Sequence, residues 1–132
     1  MPLKRKDQWK KNLRKRANAL CRGVLLEAHG RLIRKTPVRT GRARGNWNVG
    51  VGKIDRGTDE DRRQAEALAE GQAVILGQFQ AGDRAFITNA LPYIPALEDG
   101  SSKQAPQGMV KVTVAEMKPL VSRVAAAVAS GQ

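Results

Sequence analysis

Catalytic and metal sites are built mainly from histidine, cysteine and paired carboxylates, and this 132-residue chain holds one histidine, His29, and one cysteine, Cys21. His29 falls on the polar side of an N-terminal helical pattern, opposite much of its apolar stripe, and is expected to be a solvated surface residue. Cys21 lies at the edge of that stripe, with no base paired to it by spacing, and is expected to act as a small buried hydrophobe. The run Asp59-Glu60-Asp61 follows Thr58, a residue type suited to capping a helix, so these acids are read as neutralising the positive end of a helix dipole. The glycines of Gly45-Asn-Trp-Asn-Val-Gly50-Val-Gly52 lack the Lys-Ser/Thr of a phosphate-binding loop and the third glycine of a dinucleotide fingerprint. No nucleophile, acid and base pair or ligand set assembles. The expectation is therefore a protein that is not an enzyme, with no cofactor, no metal and no small-molecule substrate, and a hydrolase or nuclease is set aside.

The strongest chemical feature is cationic. Lys4, Arg5, Lys6, Lys10, Lys11, Arg14, Lys15 and Arg16 place eight positive charges in thirteen residues. Such a run suits the phosphates of a nucleic acid or an acidic protein surface, and equally a solvated arm that keeps the chain soluble. The charge is polarised along the chain. Residues 1–44 carry 15 Lys and Arg against the two acids Asp7 and Glu27, whereas residues 45–132 carry 9 basic and 10 acidic residues. The net charge of +12 thus belongs to the first third, and the remainder is nearly neutral. Sequence-specific reading of DNA or RNA has no helix-turn-helix, zinc or RNA-binding signature behind it, and aromatic residues at 4% leave little for base stacking. Trp9 is expected to pack rather than stack.

The elements that must position these groups follow from periodicity. Trp9, Leu13, Ala17, Leu20, Val24, Ala28 and Leu32 recur at steps of three and four, which predicts a helix over 6–35, weakened at Gly30 and ended by Thr36-Pro37. A helix of that length outruns so small a body, so part of it should project. Alternation of Trp47, Val49 and Val51 predicts a strand over 46–53, and Thr58 opens a helix that runs to about Phe79. Residues 84–89 read as a second strand, Pro92 opens a short helix around Tyr93 to Asp99, and a Gly, Ser and Pro loop spans 100–108. Val110, Val114, Met117, Val121, Val124 and Val128 predict a helix over 109–129, with a kink or break where Pro119 opens its second piece. The fold class is α+β: a small antiparallel sheet packed by three main helices, with residues 1–36 a long basic amphipathic helix and 37–132 a compact body with a C-terminal helix.

Two classes fall away on composition. A single cysteine forms no internal disulfide, so nothing points to an oxidising compartment. The charged start lacks an apolar run behind it, and no stretch approaches the roughly 18 apolar residues of a membrane span, so a membrane partner is not expected.

Two stretches carry a family resemblance. Thr36-Pro37-Val-Arg-Thr40-Gly41-Arg-Ala-Arg-Gly-Asn-Trp47 resembles the signature TPV-x-TG-x-(L/A)-R-x-x-W of a small tail-completion, or neck, protein family of long-tailed double-stranded DNA bacteriophages. Asn89-Ala-Leu-Pro92-Tyr93-Ile-Pro-Ala-Leu97-Glu98-Asp-Gly100-Ser-Ser102-Lys-Gln-Ala-Pro106-Gln-Gly108-Met-Val is similar to the second signature of the same family. Both occur in the family's order, and the likeness covers roughly residues 10–128. Ile94 stands where alanine is commoner and Asp99 where an aromatic is commoner.

The resemblance implies a minor virion protein at the head-tail junction of a siphophage, one subunit of a homo-oligomeric ring, hexameric by analogy. Its partners would be copies of itself and neighbouring neck, tail-terminator, tail-tube or connector proteins. It would be found in the virion, and in the host cytoplasm during assembly. The alternative is a sequence-independent DNA-binding protein that uses the basic helix on packaged DNA. The motif residues read as structural. Thr36, Pro37, Thr40 and Gly41 turn the chain, Trp47 anchors the strand, Asn89 bonds a neighbouring turn, and Tyr93 and Leu97 share one helix face. Glu98 is expected to make an ion pair or to cap the Ser101 to Gln104 loop, or else to pair with Arg39, Arg42 or Arg44 of an adjacent subunit. The loop from Gly100 through Ser102 and Pro106 to Gly108 has few apolar residues and is expected to order against a neighbour.

Overall fold

The computed structural model describes residues 2–131, with side chains from Arg5 onward. It is a mixed α+β fold: α1 (Pro2–Lys35), a 3-10 turn (Arg44–Asn46), β1 (Asn48–Val51), α2 (Gln64–Gln78), β2 (Ala85–Thr88), α3 (Ile94–Glu98) and α4 (Val110–Ala129). The two strands form one antiparallel ribbon in which Asn48 lies opposite Thr88 and Val51 opposite Ala85.

The helix α1 runs through the middle of the molecule. Its final turn ends where Thr36-Pro37 forbids another, and Gly30 does not interrupt it. The stripe Val24, Leu25, Ala28 and Leu32 faces a groove shared with α4 and β2. A second set, Arg22, Leu26, His29 and Ile33, recurs at steps of four, three and four on another side. From it Ile33 and His29 are fully buried, and Arg22 donates to the Phe79 carbonyl at the end of α2 (2.7 Å). Being packed on two sides explains why a single-stripe reading misplaces His29. It is 1% exposed, not solvated, and its Nε2 lies 3.1 Å from the Trp47 carbonyl oxygen. Its ring occupies the space where any side chain at Gly71 of α2 would have to begin.

Antiparallel to α1, α4 is tied to it by Glu116, whose carboxylate reaches both Arg31 and Lys35 at 2.9 Å. Of the kink or break expected at Pro119, the break does not occur and the helix is continuous; Pro119 and Ala115, whose carbonyl loses its partner there, are both exposed, so that carbonyl is open to solvent. The twenty residues of α4 reach back along α1 as far as Leu13, which lies near Gly131. Beyond that point the first turns of α1 project. Residues 5–12 are all exposed, and Trp9, at 64% exposure, does not pack as expected.

Between the strands the chain departs most from expectation. Residues 54–63 form no helix, and α2 begins only at Gln64, with Glu66 the acid of its first turn. Two buried asparagines hold the segment extended. Asn46 donates to the Asp59 carbonyl (2.9 Å) and accepts from the Asp59 N–H (2.8 Å), while Asn48 donates to the carbonyls of Gly57 (2.7 Å) and Asp55 (3.2 Å). The Asp59 carboxylate closes a local turn by accepting from Asp61 N–H and Arg62 N–H. Side chains that supply backbone partners in this way divert a segment from the helix that its acids suggested. The strand β1 is correspondingly shorter than expected, and Trp47 precedes it.

The main core joins Leu32 and Ile33 of α1, Ala43, Trp47, Ala67 of α2, Leu91, Ile94, Ala105 and Met109. Gly71→Ala is expected to destabilise the fold by about 1–3 kcal/mol, because the added methyl has no room beside the His29 ring. A double-mutant cycle with His29→Ala, followed by thermal unfolding, should recover part of that loss; strict additivity would show that the two sites do not touch.

Candidate functional site

The two motif segments, some 50 residues apart in the chain, fold against each other. At the end of α1 the Thr36 hydroxyl donates to the Leu32 carbonyl (2.6 Å) and accepts from the Trp47 indole N–H (2.7 Å), so the buried indole is satisfied inside the core. Arg44 closes the same helix end. Its guanidinium donates to the carbonyls of Thr36 (2.7 Å) and Arg34 (2.9 Å) and to Gln64 Oε1 (3.1 Å), placing a positive charge at the negative pole of the helix. Arg44 thus has an intramolecular task. Arg42 turns outward, with Glu60 at 3.6 Å, while its Nε is buried without a hydrogen-bond partner.

From the second motif, Asn89 reaches back to the first: its Nδ2 donates to the Ala43 carbonyl (2.9 Å) and its Oδ1 accepts from Leu91 N–H (3.2 Å). Gln104 pairs with Val38 as a neighbouring strand would, accepting from its N–H (2.8 Å) and donating to its carbonyl (3.0 Å). With Ala105 and Gly108 buried as well, the loop over 100–108 is fastened to its own chain. Pro92 sits in the turn before α3; Pro95 occupies the opening of that helix, and Ile94 enters the core.

Glu98 caps, but not where expected. Its carboxylate accepts from the N–H groups of Met109 (2.9 Å), Val110 (2.8 Å) and Lys111 (3.0 Å), which have no partner within α4 because they open that helix. The bonds lie within one chain and are made neither to the Ser101 to Gln104 loop nor to an arginine. Gly108 permits this approach, since a side chain there would strike the Glu98 carbonyl and carboxylate, and its φ of 85° suits glycine. Burial works to raise the Glu98 pKa, but the three N–H bonds and the Lys111 charge outweigh it and hold the carboxyl below its usual range. For His29, burial lowers the pKa, the bond to the Trp47 carbonyl opposes that, and the positive charge of Arg62 adds to the lowering.

Sequence reasoning passed over Arg62. Its guanidinium donates to the Gly45 carbonyl (2.5 Å), to Glu70 of α2 (2.6 Å) and to the Asn48 side chain, joining turn, strand and helix. An arginine next to another, Arg63, in a charged run offers no signal that marks one of them as largely enclosed.

Two open surfaces involve residues that the sequence singled out. A cleft of about 780 Å³ lies between the TPVRTG turn and α3, lined by Val38, Arg39, Thr40, Arg42, Tyr93, Leu97, Ser101 and Ser102 among others. Val38 and Tyr93 are exposed at it, and the guanidinium groups and hydroxyls around them suit a protein surface with apolar and acidic groups. The second surface is the projecting helix. Arg5, Lys6, Lys10, Lys11, Arg14, Lys15 and Arg16 are exposed, and among the described residues none of them forms an ion pair; the Lys4 side chain lies outside the described residues. Cys21 is partly exposed. Among the described residues no group of three or more His, Cys, Asp or Glu is placed to hold a metal ion.

Three shifted groups bear on the response to acid: His29, Glu98, and Glu116, whose carboxyl is held below its usual range by its bonds to Lys35 and Arg31. His29 takes up a proton in the fold only at lower pH than in the unfolded chain, which does so below about pH 6.5, so its contribution is complete above that value and declines as pH falls. Glu98 contributes above the ordinary carboxylate pKa of about 4.3 and loses that contribution as pH falls through its lower folded value. Urea unfolding from pH 7 to 3 should therefore show two declines. His29→Asn should remove the upper one and Glu98→Gln should diminish the lower, to which Glu116 also contributes, and Glu98→Ala should cost about 1–2 kcal/mol at pH 7; unchanged profiles in both variants would refute the assignment.

Comparison of the chain with models of protein families, with curated proteins and with solved structures gives no match.

Proposed function

We propose that this protein is a structural subunit of a bacteriophage head-tail junction, a tail-completion or neck protein that assembles with copies of itself into a ring joining the tail end to the head connector. One observation carries the reading. The two stretches that resemble the family's signatures are bonded to each other through Asn89 to Ala43 and Gln104 to Val38, and they leave an uncovered cleft between them. Their polar residues are spent on main-chain partners, which is what a rigid subunit needs and a reaction centre does not. In a ring, the cleft would face an adjacent subunit and the projecting helix another ring or the DNA channel.

The test is assembly. The purified protein, mixed with tails and filled heads from a particle lacking it, is expected to form rings by mass measurement and to restore joined particles. Arg39→Glu with Tyr93→Ala should abolish both while leaving the melting temperature within a few degrees. Complete joining without the protein, or by that double variant, would refute the proposal.

The exposed cations of the projecting helix favour a second reading, in which this helix binds duplex DNA without regard to sequence. Affinity is then expected to fall by about three to five orders of magnitude between roughly 50 and 200 mM salt if six or more phosphates are contacted. Replacing Lys10, Lys11, Arg14 and Lys15 by glutamine should remove it; binding retained in that variant would exclude the helix as the site.

A further inference from the structure

The ribbon of two strands has unequal edges. Gly52 N–H donates to the Arg84 carbonyl (2.8 Å), which fixes the alternation of the ladder. Gly50 with Phe86 and Asn48 with Thr88 are then the hydrogen-bonded pairs, and the N–H and C=O groups of Ala85 and Ile87 point away from β1. Among the described residues no other group bonds to them. The outer side of β1 is occupied by α2 and by the extended segment that Asn48 holds, whereas among the described elements none besides β1 packs as closely on β2.

Beside that free edge lies a groove of about 630 Å³. The side chains of Ala85 and Ile87 form one wall, Val24, Leu25 and Leu32 of α1 the floor, and Val110, Val114 and Val121 of α4 the far wall; no β1 residue lines it. On α4 these valines stand about 80° around the helix from Leu120 and Val124, which face α1, taking 100° per residue. The apolar face of α4 is thus turned toward the sheet layer but extends past the last strand, leaving Val114 52% and Val121 47% exposed.

We propose that the free edge of β2 and this groove form a docking site for an extended segment of a different protein, apolar at alternate residues and acidic between them. An extended chain is required because a helix cannot satisfy the outward N–H and C=O groups of Ala85 and Ile87. Alternation follows from the groove, which receives every second side chain. The acidic character follows from the rim, where Lys118 lines the groove and Arg84 precedes the strand. The proposal stands apart from the ring reading, since neither the cleft nor the basic helix takes part in it.

The probe is a fluorescein-labelled octapeptide, Thr-Val-Glu-Val-Thr-Val-Glu-Val, with a control of the same composition whose valines are contiguous. The full-length protein is expected to bind the probe saturably and at least tenfold more tightly than the control. In amide exchange, Phe86 and Thr88 should be protected without peptide, and Ala85 and Ile87 only with it. Ala85→Pro removes an outward N–H without touching the pairing to β1, and should weaken binding at least tenfold. Val121→Glu, an exposed helix substitution that leaves the ladder intact, should do the same. Binding indifferent to both variants, equal affinity for the control, or no protection of Ala85 and Ile87 would overturn the proposal. So would a dimer of the isolated protein that Ala85→Pro dissociates, because the occupant would then be a second copy of this chain.

Discussion

The hydroxyl of Thr36 is the point on which the rest of the molecule depends. It accepts from the only polar group of the Trp47 side chain and donates to the last full turn of α1, so helix end, turn and largest core residue are set by one oxygen. A buried indole N–H without a partner costs free energy on the order of 1–3 kcal/mol, and the proline that follows Thr36 keeps the chain from satisfying it any other way by extending the helix. Once Trp47 is fixed, its own carbonyl meets His29, which fills the space that Gly71 leaves in α2. The direction of β1 follows from Trp47, and the position of α2 from His29.

From this centre the fold is held less by side chains meeting side chains than by side chains meeting the main chain. Arg44 and Thr36 close the end of α1, Glu98 opens α4, Asn46 and Asn48 hold the long segment before α2, and Asn89 and Gln104 fasten the second motif to the first. Each supplies backbone partners that irregular chain cannot find for itself, which is why a body with so little regular structure between its helices can still be ordered.

How much of this was legible in the sequence differs by element. The helices α1 and α4 were plain from apolar steps of three and four, and β2 and α3 from short runs between turn residues. What failed were local signals overruled by tertiary contacts. Thr58 with three acids is a sound helix start in isolation, yet two asparagines from another element take over the backbone there. His29 looks polar on a wheel drawn for one buried stripe, but α1 has two, and Leu26 and Ile33 were the residues whose off-stripe positions carried that information. Trp9 failed in the opposite sense, since its helical spacing is correct while none of the described residues covers it. Glu98 was recognised as special without its target being identifiable, because capping requires knowing which helix begins beside it in space.

Reading main chain has one further consequence at the cleft. Gln104 recognises Val38 through its N–H and C=O alone, and the Val38 side chain points to the surface. Val38 and Arg39 can therefore change identity without loosening the turn that carries them, whereas Thr40, whose hydroxyl accepts from the Arg42 N–H, cannot. Scaffold and recognition are separately mutable in this region, so a lineage could alter the partner it accepts one exposed residue at a time and retain the same folded body throughout.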